Sequence, residues 1–238
     1  GDVIEWFYTD DYTTEKNYEK WDDPKPSSSK SNTAENGKTD ESDTKTPENN
    51  KGFDENTFAD VKKDDWYFDA VKYVYDKGII KGTDKGFEPN TDMSRAMIVT
   101  VLWRMENSPV VNFAMKFNDA NDGWYTEAIR WAASEGIVSG ISEEMFGTDE
   151  PVTREMLTAI LYRYAQKKNI DVSSGENTNI RSYSDAQNVS EYAVSAMQWA
   201  VGEGIVNGES ETILAPHGKA LRAQCAALIM RFCEKYSK

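Results

Sequence analysis

Three arginines stand at matched places in the chain: Arg95, Arg154 and Arg222. Each follows a glycine, Gly82, Gly140 or Gly208, by thirteen or fourteen residues. Ser94 and Thr153 precede the first two, and a hydroxyl there can accept a hydrogen bond from a first helical turn. The first N–H groups of a helix have no intrahelical partner and carry partial positive charge. An arginine on that turn adds a planar, permanently charged fork of donors. Together these suit a carboxylate or a phosphate. A nearby glycine lets a ligand approach the backbone closely. Trp66 and Trp124 offer flat apolar faces with a polar edge, on which a sugar ring stacks. The chemistry expected of these ten residues is recognition of an acidic carbohydrate. Each has a plainer reading, since a tryptophan at helical spacing is more often core and a first-turn arginine is often only solvated. Recurrence at matched spacing favours the binding reading, because an arginine placed three times against the helix dipole asks for a negative partner.

The elements that must hold these residues also recur. Phe58-Ala59-Asp60, Phe117-Asn118-Asp119 and Tyr183-Ser184-Asp185 open three copies. Trp66-Tyr67, Trp124-Tyr125 and Tyr192-Ala193 follow, each pair starting four residues before Ala70, Ala128 or Ala196. Next come Gly78-Ile-Ile-Lys-Gly82, Gly136-Ile-Val-Ser-Gly140 and Gly204-Ile-Val-Asn-Gly208. Ser94-Arg95-Ala96, Thr153-Arg154-Glu155 and Leu221-Arg222-Ala223 close the set. The interval from Arg154 to Arg222 is longer than that from Arg95 to Arg154, which a polar insert at 173–179 explains. Each copy reads as helix, loop, helix. In the second, Ala128, Ile129, Trp131 and Ala132 share one face, Gly136 stops the helix, and Thr153 caps the next. Met156, Leu157, Ile160, Leu161 and Tyr164 then form an apolar stripe. One such unit cannot bury its apolar faces alone, so three are expected to pack around a shared axis, with grooves between neighbours.

Composition narrows the function classes. The 238 residues carry 27 Lys plus Arg against 41 Asp plus Glu, a net charge of −14. That disfavours nucleic acid and anionic membranes as partners. The sequence has no apolar run of membrane-spanning length. Cys225 and Cys233 would lie about 12 Å apart on one helix, too far for a disulfide. The single histidine, His217, sits in a Pro-His-Gly loop without ligand-like spacing. The segment Asp119–Gly123 hints at a calcium loop, but glycine falls fifth and Arg130 twelfth, where the loop needs glycine sixth and glutamate twelfth. No metal, cofactor or catalytic pair is therefore expected, and the chain is read as a non-enzyme. The alternatives are the C-terminal portion of a cell-wall-active enzyme and a repeat scaffold for a protein partner.

Residues 24–52 are rich in Ser, Thr, Pro and charge, and read as a flexible linker. Residues 1–23 alternate around Val3–Tyr8 and read as a strand, the tail of an upstream domain. Gly1 is not a start methionine, which suggests a fragment or a processed product. The phrase Gly1-Asp2-Val3-Ile4-Glu5-Trp6-x-Tyr8-Thr9 resembles the closing strand of a transcobalamin-type C-terminal domain.

The ordered set Phe-x-Asp, Trp-Tyr, Ala, Gly-Ile-x-x-Gly, Phe-x-Pro, Thr-Arg-Glu, repeated three times, resembles the S-layer homology domain. The resemblance divides the chain into copies at 53–108, 109–172 and 173–238. It implies a mainly α fold, a monomer with internal pseudo-threefold symmetry, and an extracellular place at the bacterial cell wall. It also implies non-covalent binding of a pyruvylated secondary cell-wall polysaccharide, whose carboxylate would be the anion sought above. The family's arginine maps to Arg95, Arg154 and Arg222, its tryptophan to Trp66 and Trp124, and its loop glycine to Gly82, Gly140 and Gly208. The third copy departs, with Tyr192 for tryptophan and Leu221 for the hydroxyl cap. The family's glutamate is replaced by Met97, Met156 and Gln224, which predicts looser helix entrances.

Overall fold

A computed structural model describes residues 52–236. The readings of an upstream strand at 1–23 and of a linker lie outside the described residues, save for Gly52. Seven α-helices follow in chain order: α1 (Phe68–Asp76), α2 (Arg95–Met105), α3 (Thr126–Ser134), α4 (Arg154–Lys167), α5 (Ser174–Asn177), α6 (Val194–Gly202) and α7 (Arg222–Tyr236). Among the described residues there are three isolated antiparallel bridges and no longer strand.

The first helix of each repeat ends the same way. Gly78, Gly136 and Gly204 adopt φ near +68° to +69°, a conformation cheap only for glycine. The isoleucine after each glycine donates its N–H back into the helix, Ile79 to Val74, Ile137 to Ala132 and Ile205 to Ala200. The glycines donate to Tyr75, Ala133 and Val201, completing a Schellman ending. Ile79, Ile137 and Ile205 are thereby turned into the core, each at 5% exposure or less. Burying one such side chain contributes roughly 1.5–3 kcal/mol.

The opening aspartates staple each loop to its repeat. Asp60 accepts the N–H groups of Phe87 and Glu88, at 3.0 and 2.7 Å. Asp119 accepts those of Phe146, Gly147 and Thr148. Asp185 accepts those of Leu214 and Ala215. Burial pushes the Asp119 carboxyl up, but these backbone donors outweigh it and its pKa is lowered.

The helices of one repeat pack mainly on the next repeat. The second helix of each copy lies on the first helix of its neighbour: α2 on α3, α4 on α6, and α7 back on α1. A ring of backbone hydrogen bonds marks the axis. Met93 donates to Ala220, Ala220 donates to Val152, and Val152 donates to Met93, at 2.8–2.9 Å. All three residues are at 1% exposure or less. The fold is therefore the closed, pseudo-threefold helical assembly that the repeats imply. The insert at 173–179 is more than a polar spacer. It contains α5, which packs on α6, and a Cβ at Gly175 would press on the backbone of Ser195 and Trp199.

Candidate functional site

Each motif arginine sits at the start of a second helix and reaches into the following repeat. Arg95 donates from Nε to the Phe146 carbonyl and from Nη2 to that of Ser139, at 2.9 and 2.7 Å. Arg154 donates from Nε to Leu214 and from Nη2 to Asn207, at 3.1 and 2.8 Å. Both receiving loops carry the glycines singled out by spacing, Gly140 and Gly208. Arg222 lies over the Phe87 ring of repeat one, 5.3 Å from its centroid. Arg95 lies 4.6 Å from that of Phe146.

Two sequence-based assumptions need correction. The first-turn N–H groups are not open to an anion. Arg95 and Ala96 donate to Glu150 and Thr148 of repeat two, and Arg154 and Glu155 to Gly218 and Pro216 of repeat three. Arg222 and Ala223 donate to Thr91 and Pro89 of repeat one. Carbonyls of the neighbouring loop thus take the place a ligand would need. The arginines are not mainly solvent-facing either: Arg95 and Arg154 are half-buried, and Arg222 is only 2% exposed. Burial, together with the nearby Arg163, lowers the Arg95 guanidinium to about 10, against the pull of Asp119, Glu150 and Tyr192. Burial also lowers Arg154, opposed by Glu209, Asp185 and Tyr183. Both remain charged at neutral pH.

The helix entrances are better organised than the missing glutamates suggest. Ser94 accepts the Met97 N–H and Thr153 that of Met156. The Met156 sulfur accepts the Thr153 N–H in return, at 3.4 Å, and Gln224 Oε1 accepts that of Leu221, at 3.2 Å. The loop glycines also have an internal reason. A Cβ at Gly82 would strike the Phe58 ring, and one at Gly140 or Gly208 would strike carbonyls of its own turn.

What remains for a ligand is the seam between repeats. A cavity of about 390 Å³ opens at Arg154 and draws on all three copies. Repeat one supplies Trp66, repeat two supplies Arg154, and repeat three supplies Asn207, Gly208, Gln224 and Arg231. Leu157, Val206 and Leu228 form part of its apolar wall. Trp66 is 66% exposed and stands edge-on to Tyr67, at 5.3 Å between centroids. The platform for Arg154 thus comes from the preceding repeat, not from Trp124 of its own. Trp124 is half-buried and edge-on to Tyr125. Tyr192 of repeat three lies within electrostatic reach of Arg95 of repeat one, and its hydroxyl meets the buried Glu155 carboxylate at 3.1 Å.

The S-layer homology domain model matches residues 57–96, 116–155 and 182–226, more than half of the chain. The chain belongs to the S-layer homology domain family. Such domains occur in S-layer and cell-surface proteins, where they bind cell-wall polymers and anchor the protein to the wall. Similar proteins include the amylopullulanase of Thermoanaerobacterium thermosulfurigenes, 34% identical over 75% of this chain and 10% of that protein. The exoglucanase XynX of Acetivibrio thermocellus is 32% identical over 75% of this chain and 16% of its own length. The S-layer protein sap of Bacillus anthracis is 33% identical over 48% of this chain and 14% of its own. The chain therefore spans a small part of each relative, and two of these relatives are enzymes by name. No helix among the described residues is long and apolar enough to cross a membrane.

A second set of arginines recurs at matched spacing, outside the residues matched by the family model. Arg104, Arg163 and Arg231 donate from Nη1 to Ile79, Ile137 and Ile205, at 3.1–3.3 Å. Each lies nine residues after a motif arginine, so the spacing was visible. What hid them was their place inside the second helix, where an arginine reads as a solvated face.

Proposed function

We propose that the seams between repeats bind an acidic wall glycan, a pyruvylated secondary cell-wall polysaccharide, and so hold a larger surface protein non-covalently at the wall. The observation that carries this is the Arg154 cavity. There a planar cation, a flat aromatic face and a glycine-bearing loop converge from three repeats. A pyruvyl ketal presents a carboxylate beside a sugar ring, which matches a guanidinium next to an indole. The anion is held by arginine side chains, since the first-turn amides are engaged by neighbouring carbonyls. Rotation by one repeat pairs Tyr192 with Arg95, whereas at the third seam Arg222 is only 2% exposed and lies over Phe87. Ser94 and Thr153 serve by fixing the helix entrances. Gly82, Gly140 and Gly208 serve by letting the loops turn tightly beside the arginines. The module acts as a monomer, because closure of the ring leaves no repeat unpaired.

The test is binding of purified pyruvylated wall polysaccharide to the chain, with the same polymer depyruvylated as control. Binding that is lost on depyruvylation is the expected result. Equal binding of both polymers would overturn the carboxylate as the recognised group.

A further inference from the structure

The Arg154 cavity contains three charged side chains, Arg154, Arg231 and Glu209. Each guanidinium has five N–H donors. Arg154 gives Nε and one Nη2 hydrogen to Leu214 and Asn207, and Arg231 gives one Nη1 hydrogen to Ile205, so both keep donors in hand. Glu209 follows the loop glycine Gly208 and is exposed. Thr83 and Ile141 occupy that position in the other two loops, so a carboxylate there is particular to this groove.

We propose that Glu209 is a tethered competitor for Arg154, and that this groove is thereby tuned to ligands carrying a single negative charge. The inference rests on the acidic-glycan reading of the groove and names the charge class it selects. Among the side chains that line the cavity, two cations and one carboxylate leave one positive charge uncompensated at neutral pH. A monocarboxylated sugar neutralises the groove, whereas a dianion leaves it net negative. Half-burial of Arg154 removes part of the water that would screen these charges. Glu209 leads the groups that offset the effect of burial on Arg154, ahead of the Asp185 carboxylate and the Tyr183 phenol. Asp185 is not a rival, because it is bound to the Leu214 and Ala215 N–H groups at 2.8 and 2.7 Å. Glu209 lines the cavity and is exposed.

The test follows the Nε–H resonances of Arg154 and Arg95 by NMR at fixed ionic strength, in the parent chain and in Glu209→Gln. The probes are a pyruvyl-ketal hexoside, its uncharged methyl ester, and sulfate. In the parent chain the monoanionic ketal shifts Arg154 at lower concentration than sulfate, and the ester has no effect. Glu209→Gln tightens the ketal about fivefold at Arg154 and tightens sulfate more, with Arg95 unchanged. Unchanged or weaker binding of both anions at Arg154 in Glu209→Gln overturns the proposal, while ketal binding to the parent keeps the glycan reading intact. Stronger sulfate binding in Glu209→Gln without any ketal binding does the reverse. A groove that takes neither anion in either protein overturns both.

Discussion

Arg154 and Arg222 hold the same position of the same motif, yet they meet different surroundings. Arg154 lines an open cavity beside an exposed tryptophan. Arg222 is 2% exposed and packed over Phe87. Both helices begin alike, with two first-turn amides donated to the next loop. The difference lies above the guanidinium, in how the seam is filled. The comparison teaches that the motif arginine has a holding role in the ring, and that an open cavity beside it is an additional feature, present at Arg154.

The comparison breaks most sharply at Arg222. Arg222→Ala empties a buried site and is expected to cost roughly 3 kcal/mol of stability in urea unfolding. Arg154→Ala is expected to lose less, because water can reach the loop carbonyls it abandons. Equal losses at the two positions would mean that burial does not separate their roles.

Trp66 sharpens the other side of the comparison. Trp66→Ala should weaken glycan binding at the Arg154 groove by roughly fivefold to tenfold, within the worth of an aromatic contact. Its melting temperature should hardly move, since the side chain is 66% exposed. A variant that unfolds easily but binds normally would assign Trp66 to the core instead.

A smaller effect is expected at the helix entrances. Thr153→Ala should cost about 1 kcal/mol, as should Ser94→Ala. Leu221→Ser should recover up to that amount in the third repeat, if its hydroxyl reaches the first turn. No gain there would show that Gln224 already organises the entrance fully.

The smallest signal is in acid. Asp119 and Asp185 are pushed up by burial, but the backbone donors outweigh it and both pKa values are lowered on folding. A depressed carboxylate contributes stability above its unfolded pKa of about 3.9, and that contribution is lost as pH falls through the folded value. Asp119→Asn should therefore flatten the stability profile below about pH 4 while leaving its shape at neutral pH. An unchanged acid limb would mean that the loop staple does not depend on charge.

Much of this architecture is legible in residues. The glycine endings, the Ser94 and Thr153 caps and the apolar stripes follow from local rules, and each local signal agrees with its neighbours. The seams are less legible, because they depend on which copy faces which. Spacing leaves open which repeat's tryptophan faces which arginine, while folding places Trp66 beside Arg154, since the two helices of one repeat turn to different neighbours. The first-turn amides are hidden for the same reason. Their acceptors at Glu150, Gly218 and Thr91 lie in another repeat, beyond the reach of any local pattern. The buried thiols of Cys225 and Cys233 follow their helical positions, and burial pushes Cys225 up to about 12.

The ring of hydrogen bonds through Met93, Ala220 and Val152 has a consequence for how such a chain can change its length. An open array of repeats can gain or lose a copy at either end and expose the same kind of surface as before. Here α7 closes on α1, so the last copy is the neighbour of the first. Deleting any repeat opens two seams at once, and inserting a fourth requires a wider circle with different angles at every joint. The number of copies is thus locked at three by geometry, and variation is confined to the residues lining each seam and to what is attached outside the ring.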